Sequence, residues 1–354
     1  NSDTPVVDIQ HRAFGEVTAL LGLCQRLNLI ELINQEVSSS LPVGEYLVLA
    51  ALNRCVAPAS KNKIQEWYRH TVLPDLLPLA PAQVTSQRFW DAMAAVDEAA
   101  LARIETRLWR RVTEAFSVPW EALVFDTTNF FTYIQDAVRE DLPRRGHNKA
   151  GKHELNQVGL GLVVSKIYGL PLLHHTYAGN QHDATVFPQV LSVLADRYAR
   201  LVGATEQLTL LFDKGMNSQE NVAALTGQQI HFIGSLVPSQ FPDLLRIQAR
   251  RYEAVTLRNG KTLQVFATQK DVFGASRKVV VSYNPETAAK QEQVLQRHLQ
   301  EATSALLEVH WNRVKQPDKK VADVLAHYRV KDVLQVTFTG KDAQVSVNRK
   351  ELRA

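Results

Sequence analysis

Two stretches, ALVFDTTNF at residues 122–130 and LTLLFDKGMNS at residues 208–218, decide the fold. In each, a short apolar run leads to an aspartate, and this pattern predicts a buried strand that ends at Asp126 or at Asp213. If the two strands are neighbours in one sheet, both carboxylates lie at the same edge of that sheet. Carboxylate oxygens suit Mg²⁺ or Mn²⁺. The alternative for each aspartate taken alone is a cap on a turn or on the following helix.

The segments around the two aspartates predict a mixed α/β order. We expect strands at 123–125, 158–165 and 172–177, with a polar loop after the first of them. A helix, a strand, a second helix and a further strand then follow, at 185–198, 208–212, 218–225 and 230–235. This is the element order of a ribonuclease H-like fold, in which a mixed sheet is flanked by helices.

The rest of the chain predicts two further domains. Apolar residues recur at helical spacing from Ile9 to Phe116, which indicates a helical bundle. Beyond Asp243, alternating strands, two helices and a closing hairpin indicate an α+β unit. We therefore expect an N-terminal helical domain at 1–117, the first part of a ribonuclease H-like core at 118–242, and an α+β domain at 243–354.

Composition excludes several classes of protein. The 354 residues are 45% hydrophobic and 21% charged, which excludes a disordered or collagen-like chain. The longest apolar runs fall far short of the roughly 20 residues that a membrane span needs. Two cysteines, Cys24 and Cys55, exclude a disulfide framework and a four-cysteine zinc site. We expect a cytoplasmic protein without a membrane partner; the net charge of +4 permits a polyanionic partner but does not demonstrate one.

Several longer strings resemble the DDE-type transposases of bacterial insertion sequences. The strings are VFDTTNF at 124–130, GLGLVVSKIYGLPLLHHTYAGNQHDATVFPQVL at 159–191 and LTLLFDKGMNSQENVAAL at 208–225. The N-terminal strings SKNKIQEWYRHTVLP at 60–74 and VTSQRFWDAM at 84–93 extend the resemblance over nearly the whole chain. It is strongest to the group in which a β-rich insertion follows the second aspartate. The resemblance implies that the helical domain at 1–117 binds DNA and that the α+β domain at 243–354 is this insertion.

The resemblance implies a catalytic core that binds two divalent ions, Mg²⁺ or Mn²⁺. Such a core cleaves DNA at transposon ends and joins the free 3′ hydroxyl to target DNA. Asp126 matches the first catalytic acid of the family, and Asp213 matches the second. The implied partners are double-stranded DNA and a second copy of the chain, assembled on two DNA ends at the bacterial nucleoid.

The third acid of that family is a glutamate with a tyrosine seven residues before it, an arginine four residues before it and a lysine seven residues after it. None of the candidates after Asp213 has both the tyrosine and the arginine at these positions; the candidates are Glu253, Glu286, Glu292, Glu301 and Glu308. We expect the chain to be truncated before the third acid. Such a chain would bind metal weakly and cleave DNA poorly.

Basic and polar residues near the first aspartate suggest contacts with DNA phosphates. The loop REDLPRRGHNKAGK at 139–152 lies between the first two predicted strands, and a solvated surface loop is the alternative. Asn129 lies three residues after Asp126 and could contact DNA, but the sequence is equally compatible with a plain turn there. In the helical region, charge is mixed with aromatic residues. The predicted DNA-binding residues are Arg144, Arg145, Lys149, Lys152, Asn129, Lys61 and Lys63.

Three functions remain open on the sequence. The leading one is transposition. A ribonuclease H-like nuclease outside transposition would use the same two acids, and a catalytically inactive DNA-binding transposase remnant would explain the missing third acid. Zinc is not expected, because His174 and His175 are adjacent on a strand and point to opposite faces.

Overall fold

The computed structural model describes residues 11–133, 142–146, 151–152, 154–203, 205–339 and 342–348. The chain divides into two compact units, residues 1–235 and residues 236–354. The predicted helical segment and the predicted first part of the core thus belong to one unit. The division into three domains stays a prediction.

The first unit begins with the predicted helical segment. Its helices are α1 (Gly15–Arg26), α2 (Leu29–Glu36), α3 (Val43–Val56), α4 (Lys61–Arg69), α5 (Leu73–Leu76), α6 (Ser86–Ala94) and α7 (Glu98–Phe116). Polar side chains cap the N-termini of α6 and α7. The Thr85 hydroxyl accepts a hydrogen bond from the Arg88 backbone N–H, and the Asp97 carboxylate accepts one from the Ala100 backbone N–H. The helical pattern is therefore confirmed over the described residues.

Helix α7 contributes to two hydrophobic clusters. Ile104 packs with the buried residues of α1 to α6, among them Leu49, Tyr68 and Phe89. Trp109, about one turn later, packs with the buried residues of the sheet described next. One amphipathic helix therefore joins the helical segment to the sheet.

The sheet of the first unit is mixed, as predicted. It contains β1 (Ala122–Thr132), β2 (Arg144–Arg145), β3 (Asn156–Ser165), β4 (Pro171–Ala178), β5 (Thr209–Phe212) and β6 (His231–Ile233), with helices α8 (Asp183–Leu201) and α9 (Gln219–Gly227) in the connections. The strand order is β2-β3-β1-β5-β6, and β4 also pairs with β3. Strand β3 is antiparallel to β1 and β4, whereas β5 is parallel to both β1 and β6. This arrangement is ribonuclease H-like.

Strand β1 is longer than the sequence predicted. It pairs with β5 only over residues 122–125, but it pairs with β3 over residues 123–132. The strand that was expected to end at Asp126 therefore continues to Thr132, and the polar loop predicted directly after it is wrong for residues 127–132. The extension is stable without β5 because the long strand β3 supplies its hydrogen-bonding partners.

The two faces of the sheet differ in burial. On one face, Leu123, Phe125 and Phe212 are buried against Phe187 of α8 and its neighbours. On the other face, apolar residues of the central strands are only partly buried; they are Val124, Leu160, Leu162, Val164 and Leu211. Because side chains alternate along a strand, Asp126 lies on this second, more open face.

The second unit is the predicted α+β unit. Its elements are α10 (Pro242–Leu245), β7 (Glu253–Thr256), β8 (Thr262–Val272), β9 (Ala275–Tyr283), α11 (Pro285–Leu307), α12 (Pro317–His327), β10 (Leu334–Thr339) and β11 (Asp342–Val347). Strands β7, β8 and β9 form an antiparallel sheet, and β10 pairs with β11 as a hairpin. Among the residues that the structure describes, no helix is both long and apolar enough to cross a bilayer.

Candidate active site

Asp126 and Asp213 occupy equivalent positions on neighbouring parallel strands. The last residue pair between β1 and β5 is Phe125 with Phe212, and each aspartate is the next residue of its strand segment. Adjacent strands lie about 4.8 Å apart. The two aspartates therefore lie close together at one edge of the sheet, as a shared metal site would require.

Both carboxylates are exposed and retain oxygen atoms for a ligand. Oδ1 of Asp126 accepts a hydrogen bond from the Thr127 backbone N–H at 2.8 Å, and Oδ1 of Asp213 accepts one from that of Lys214 at 2.7 Å. Within the described part of the chain, neither carboxylate makes another hydrogen bond or an ion pair. Their second oxygens can therefore bind a cation.

The residues beneath the aspartates hold them in place. The Phe187 ring of α8 lies 5.4 Å from the Phe125 ring and 5.1 Å from the Phe212 ring. On the far side of Asp213, the Ser218 hydroxyl accepts a hydrogen bond from the Asn221 backbone N–H and caps α9. Packed aromatic rings and a capped helix restrict both backbones, so the distance between the carboxylates is set by the fold.

A third metal ligand is not found in the described residues. There, no group of three or more histidine, cysteine, aspartate or glutamate side chains is placed to hold a metal ion. The glutamates that the sequence offered lie in the second unit: Glu253 begins β7, Glu286, Glu292 and Glu301 lie on α11, and Glu308 follows α11.

The predicted basic residues of the loop fall on both faces of the sheet. Arg144 and Arg145 form β2 and pair with Gln157 and Asn156 of β3. Since Asn156 also pairs with Thr132, and paired residues share a face, Arg145 lies on the same face as Asp126, whereas Arg144 lies on the opposite one. Both arginines are exposed.

Lys152 and Asn129 belong to the face away from Asp126. The Lys152 ammonium lies 5.3 Å from the centroid of the Phe131 ring, which is a cation–π contact. Asn129 and Phe131 lie three and five positions after Asp126 in the same strand, and an odd difference in position places them on the opposite face. Lys149 lies outside the described residues.

Lys61 and Lys63 lie away from the sheet edge. Both are on α4, which packs against α3, α5 and α6 of the helical segment. The Lys61 ammonium lies 3.9 Å from the centroid of the Trp90 ring, and Lys63 is exposed. The structure therefore brings Arg145 to the face of the aspartates but does not bring the two helical lysines there.

A charged network that the sequence did not reveal joins α7, α8 and β4. The Glu105 carboxylate is hydrogen-bonded to Nδ1 of His174. It also forms an ion pair with the buried Arg197 guanidinium, with 2.8 Å between Nη1 and Oε2. The Arg197 guanidinium also donates to the Leu172 carbonyl at 3.0 Å. Residues this far apart in the sequence leave no local pattern that could have predicted the network.

The network shifts the pKa of two of its members. Burial by itself raises the pKa of Glu105, but the hydrogen bond with His174 and the charge of Arg197 outweigh it and lower that pKa below 4.5. The hydrogen bond to Glu105 raises the pKa of His174 above 6.5, although burial and Arg197 act in the opposite direction. The network therefore favours a charged histidine and a charged glutamate together.

Solved transposase structures show weak similarity to the chain. A pre-cleavage Mos1 transpososome and a Mos1 transposase paired-end complex with the left transposon end each match at 13% identity and a TM-score of 0.24, over 56% of this chain and 60% of theirs. A piggyBac transposase synaptic complex with hairpin DNA matches at 10% identity and a TM-score of 0.34, over 75% of this chain and 60% of its own. The chain thus spans about 60% of the length of the solved transposases that it matches.

The chain matches a family model but no curated protein sequence. The family model described as a transposase DDE domain matches residues 122–298, which is half of the chain and includes both Asp126 and Asp213. The chain therefore belongs to the family of transposases that carry this DDE domain.

Proposed function

We propose that this protein is the DNA transposase of a bacterial insertion sequence. It would cleave phosphodiester bonds at transposon ends in a metal-dependent reaction and transfer the strands to target DNA, with Asp126 and Asp213 as catalytic metal ligands. One observation carries this proposal: the two carboxylates directly follow the last residue pair of neighbouring parallel strands. Membership of the DDE family supports the same role for the pair.

The donor set fits magnesium or manganese. Both residues present exposed carboxylate oxygens, which are hard ligands of the kind that these ions prefer. Two bound ions would supply an activated water or 3′ hydroxyl and would stabilise the leaving oxygen of the phosphodiester. The chain's own contribution is to hold the two carboxylates at a fixed separation and to keep them open to the substrate.

Double-stranded DNA is the proposed substrate, both as transposon end and as target. Arg145 would bind a backbone phosphate farther along the duplex, because it is exposed on the same face of the sheet as the aspartates. The other predicted DNA contacts would hold the duplex farther from the reacting phosphate; they are Arg144, Lys149, Lys152, Asn129, Lys61 and Lys63. A homodimer on two DNA ends, acting at the bacterial nucleoid in the cytoplasm, belongs to the same proposal.

Two other functions use the same features. A ribonuclease H-like nuclease would need the same pair of aspartates. A catalytically inactive, DNA-binding remnant is the other alternative, and it would account for a chain in which the family's glutamate pattern is not found.

The test compares the full chain with Asp126→Asn and Asp213→Asn. We expect each substitution to reduce Mn²⁺-dependent nicking of a supercoiled plasmid by at least about 100-fold, because losing even an outer-shell partner of a metal ligand costs 10- to 100-fold. Binding to a duplex oligonucleotide should be preserved, since neither side chain carries a positive charge. Asp196→Asn is the matched control, because Asp196 is an exposed carboxylate on α8.

The outcomes separate the three functions. Full nicking in either active-site variant would remove the metal-ligand assignment. Duplex binding without nicking by the unaltered chain would favour the inactive remnant. Nicking without joining of a 3′ end to target DNA would favour the nuclease.

A further inference from the structure

Strand β10 forms an open edge of the second unit. Among the described residues it pairs with β11 alone, so its other side has no neighbouring strand. Its sequence, LQVTFT at 334–339, contains no charged residue and no proline, and its pairing with β11 continues without a register shift. Charges, prolines and bulges are features by which proteins protect an edge strand from further pairing. The β10 edge has none of these protections.

The open edge presents the backbone groups of two residues. The Asn348 backbone N–H donates to the Val333 carbonyl at 2.7 Å, so these two residues form a hydrogen-bonded pair. Hydrogen bonds in an antiparallel pair alternate along each strand. Val336 and Phe338 lie three and five positions after Val333, so their backbone N–H and C=O groups point away from β11. In the part of the chain that the structure describes, these groups have no partner.

An apolar groove lies beside this edge. It has a volume of about 400 Å³ between α12 and β10. Val336 and Phe338 line it from the strand, and the Phe338 side chain is 39% exposed. Ala322 and Ala326 line it from the helix, and their small side chains leave the space open. The other lining residues are Asp318, Val321, Leu325 and Lys331.

An extended strand is the occupant that fits both features. Added beside β10, it would bond to the free backbone groups and would place every second side chain in the groove. Strand β10 itself has the required alternation, because Leu334, Val336 and Phe338 are apolar and the residues between them are polar. A second copy of the chain therefore supplies a matching strand.

We propose that two copies of the chain associate through antiparallel pairing of their β10 strands, which joins the two hairpins into one four-stranded sheet. Such a two-fold pair uses the same edge on both copies, so no β10 edge remains open for a third copy. The inference goes beyond the proposed function and is independent of it, because this contact needs neither DNA nor metal.

The free backbone groups select the register of this pair. The Leu334 backbone N–H already donates to the Val330 carbonyl at 2.9 Å, so Leu334 cannot form a complete pair. With the two-fold axis at Thr337, Val336 of each copy pairs with Phe338 of the other, and all their free groups are used. Thr337 then lies opposite its counterpart in a non-hydrogen-bonded pair, with about 4.5 Å between the Cα atoms. Its exposed side chain lies on the face away from the groove.

The experiment measures the dissociation constant of the full chain by sedimentation velocity in the micromolar range, without DNA or metal. The variants Thr337→Lys and Thr337→Glu each place like charges opposite one another across the two-fold axis. Gln344→Lys is the matched control, because Gln344 pairs with Thr337, is exposed and lies one strand away from the edge. Circular dichroism verifies that each variant is folded.

We expect the unaltered chain and Gln344→Lys to form dimers of equal stability. Each Thr337 variant alone should raise the dissociation constant about tenfold, because like charges this close repel one another. An equimolar mixture of Thr337→Lys and Thr337→Glu should restore the dimer, since a lysine then faces a glutamate.

A monomer, or an open series of larger oligomers, in the unaltered chain would overturn the proposed pairing. Unchanged dissociation constants in both Thr337 variants would also overturn it. So would weakened dimers that the mixture does not restore, and the groove would then be left to a partner of different sequence. None of these results affects the proposed function, which plasmid nicking tests separately.

Discussion

Each aspartate owes its direction to the residue before it. Phe125 and Phe212 are both buried and point into the core around α8. The backbone at Asp213 is still extended, with φ −78° and ψ 165°, and Asp126 lies within β1. Because consecutive side chains of an extended chain alternate, both carboxylates point to the more open face. The apolar residue thus orients the acid that follows it.

Two glycines offer a test of packing between helices. A Cβ at Gly44, in the first turn of α3, would overlap the Ile30 carbonyl oxygen and lie 3.0 Å from the Ile30 carbonyl carbon. We expect Gly44→Ala to lower the free energy of unfolding by about 1–3 kcal/mol, because backbone atoms cannot move aside cheaply. Urea denaturation followed by circular dichroism measures this.

Gly22→Ala is the matched control for Gly44→Ala. Gly22 lies inside α1, and a Cβ there would have no other atom within 4 Å. Alanine is the better helix former, so this substitution should raise the free energy of unfolding by up to about 1 kcal/mol. An unaffected Gly44→Ala would contradict the close packing of α2 on α3, and a destabilised Gly22→Ala would contradict the open space around that position in α1.

At the scale of elements, β1 has two different roles along its length. Its first residues pair with β3 and β5 and form the centre of the sheet, whereas residues after Asp126 pair with β3 alone. The change occurs where β5 ends at Phe212. At the candidate active site, a central strand thus becomes one strand of a two-stranded ribbon, and the aspartates are left open on the side that β5 no longer covers.

The contact between α7, α8 and β4 predicts a pH dependence of stability. Because the pKa of His174 is higher in the folded chain, its contribution is complete below about pH 6.5 and is lost as the pH rises through the raised pKa. The pKa of Glu105 is lowered, so its contribution is present above about pH 4.5 and is lost as the pH falls through the lowered pKa. We therefore expect the network to stabilise the fold most between about pH 4.5 and 6.5.

Thermal unfolding between pH 5 and pH 9 checks this expectation. His174→Gln should lower the melting temperature at the acidic end and reduce the fall in melting temperature toward alkaline pH. The control is His175→Gln, because the neighbouring histidine stacks on Tyr177 and has no acidic partner within the described part of the chain. The same pH profile in His174→Gln as in the unaltered chain would show that the network does not contribute.

At the scale of the whole molecule, each compact unit has its own hydrophobic clusters. Those of residues 1–235 include the clusters of the helices and of the sheet. Those of residues 236–354 centre on α11 with α12 and on β8 with β9. A unit with its own core can fold by itself.

We therefore expect a fragment of residues 1–235 to unfold cooperatively, as measured by calorimetry and circular dichroism. A fragment of residues 1–227 is the control, because it lacks β6 and the buried Ile230 of the sheet cluster. It should be clearly less stable than the longer fragment. A longer fragment without a cooperative transition would contradict the independence of the first unit.

The sequence by itself determined the type and order of the elements around the candidate active site. Apolar runs that lead to an aspartate predicted β1 and β5, and helical spacing predicted α7, α8 and α9, because burial of one face imposes a period that can be read locally. The sequence could not determine the length of β1, since that depends on its pairing with β3 more than 20 residues away.

Only the tertiary structure decided which side chains meet. It set Asp126 beside Asp213, it assigned Arg145 to their face and Lys152 to the other, and it joined Glu105 to His174 and Arg197. The physical reason is that strand register and helix packing are fixed by the sum of many weak contacts between distant segments, and no local pattern records that sum.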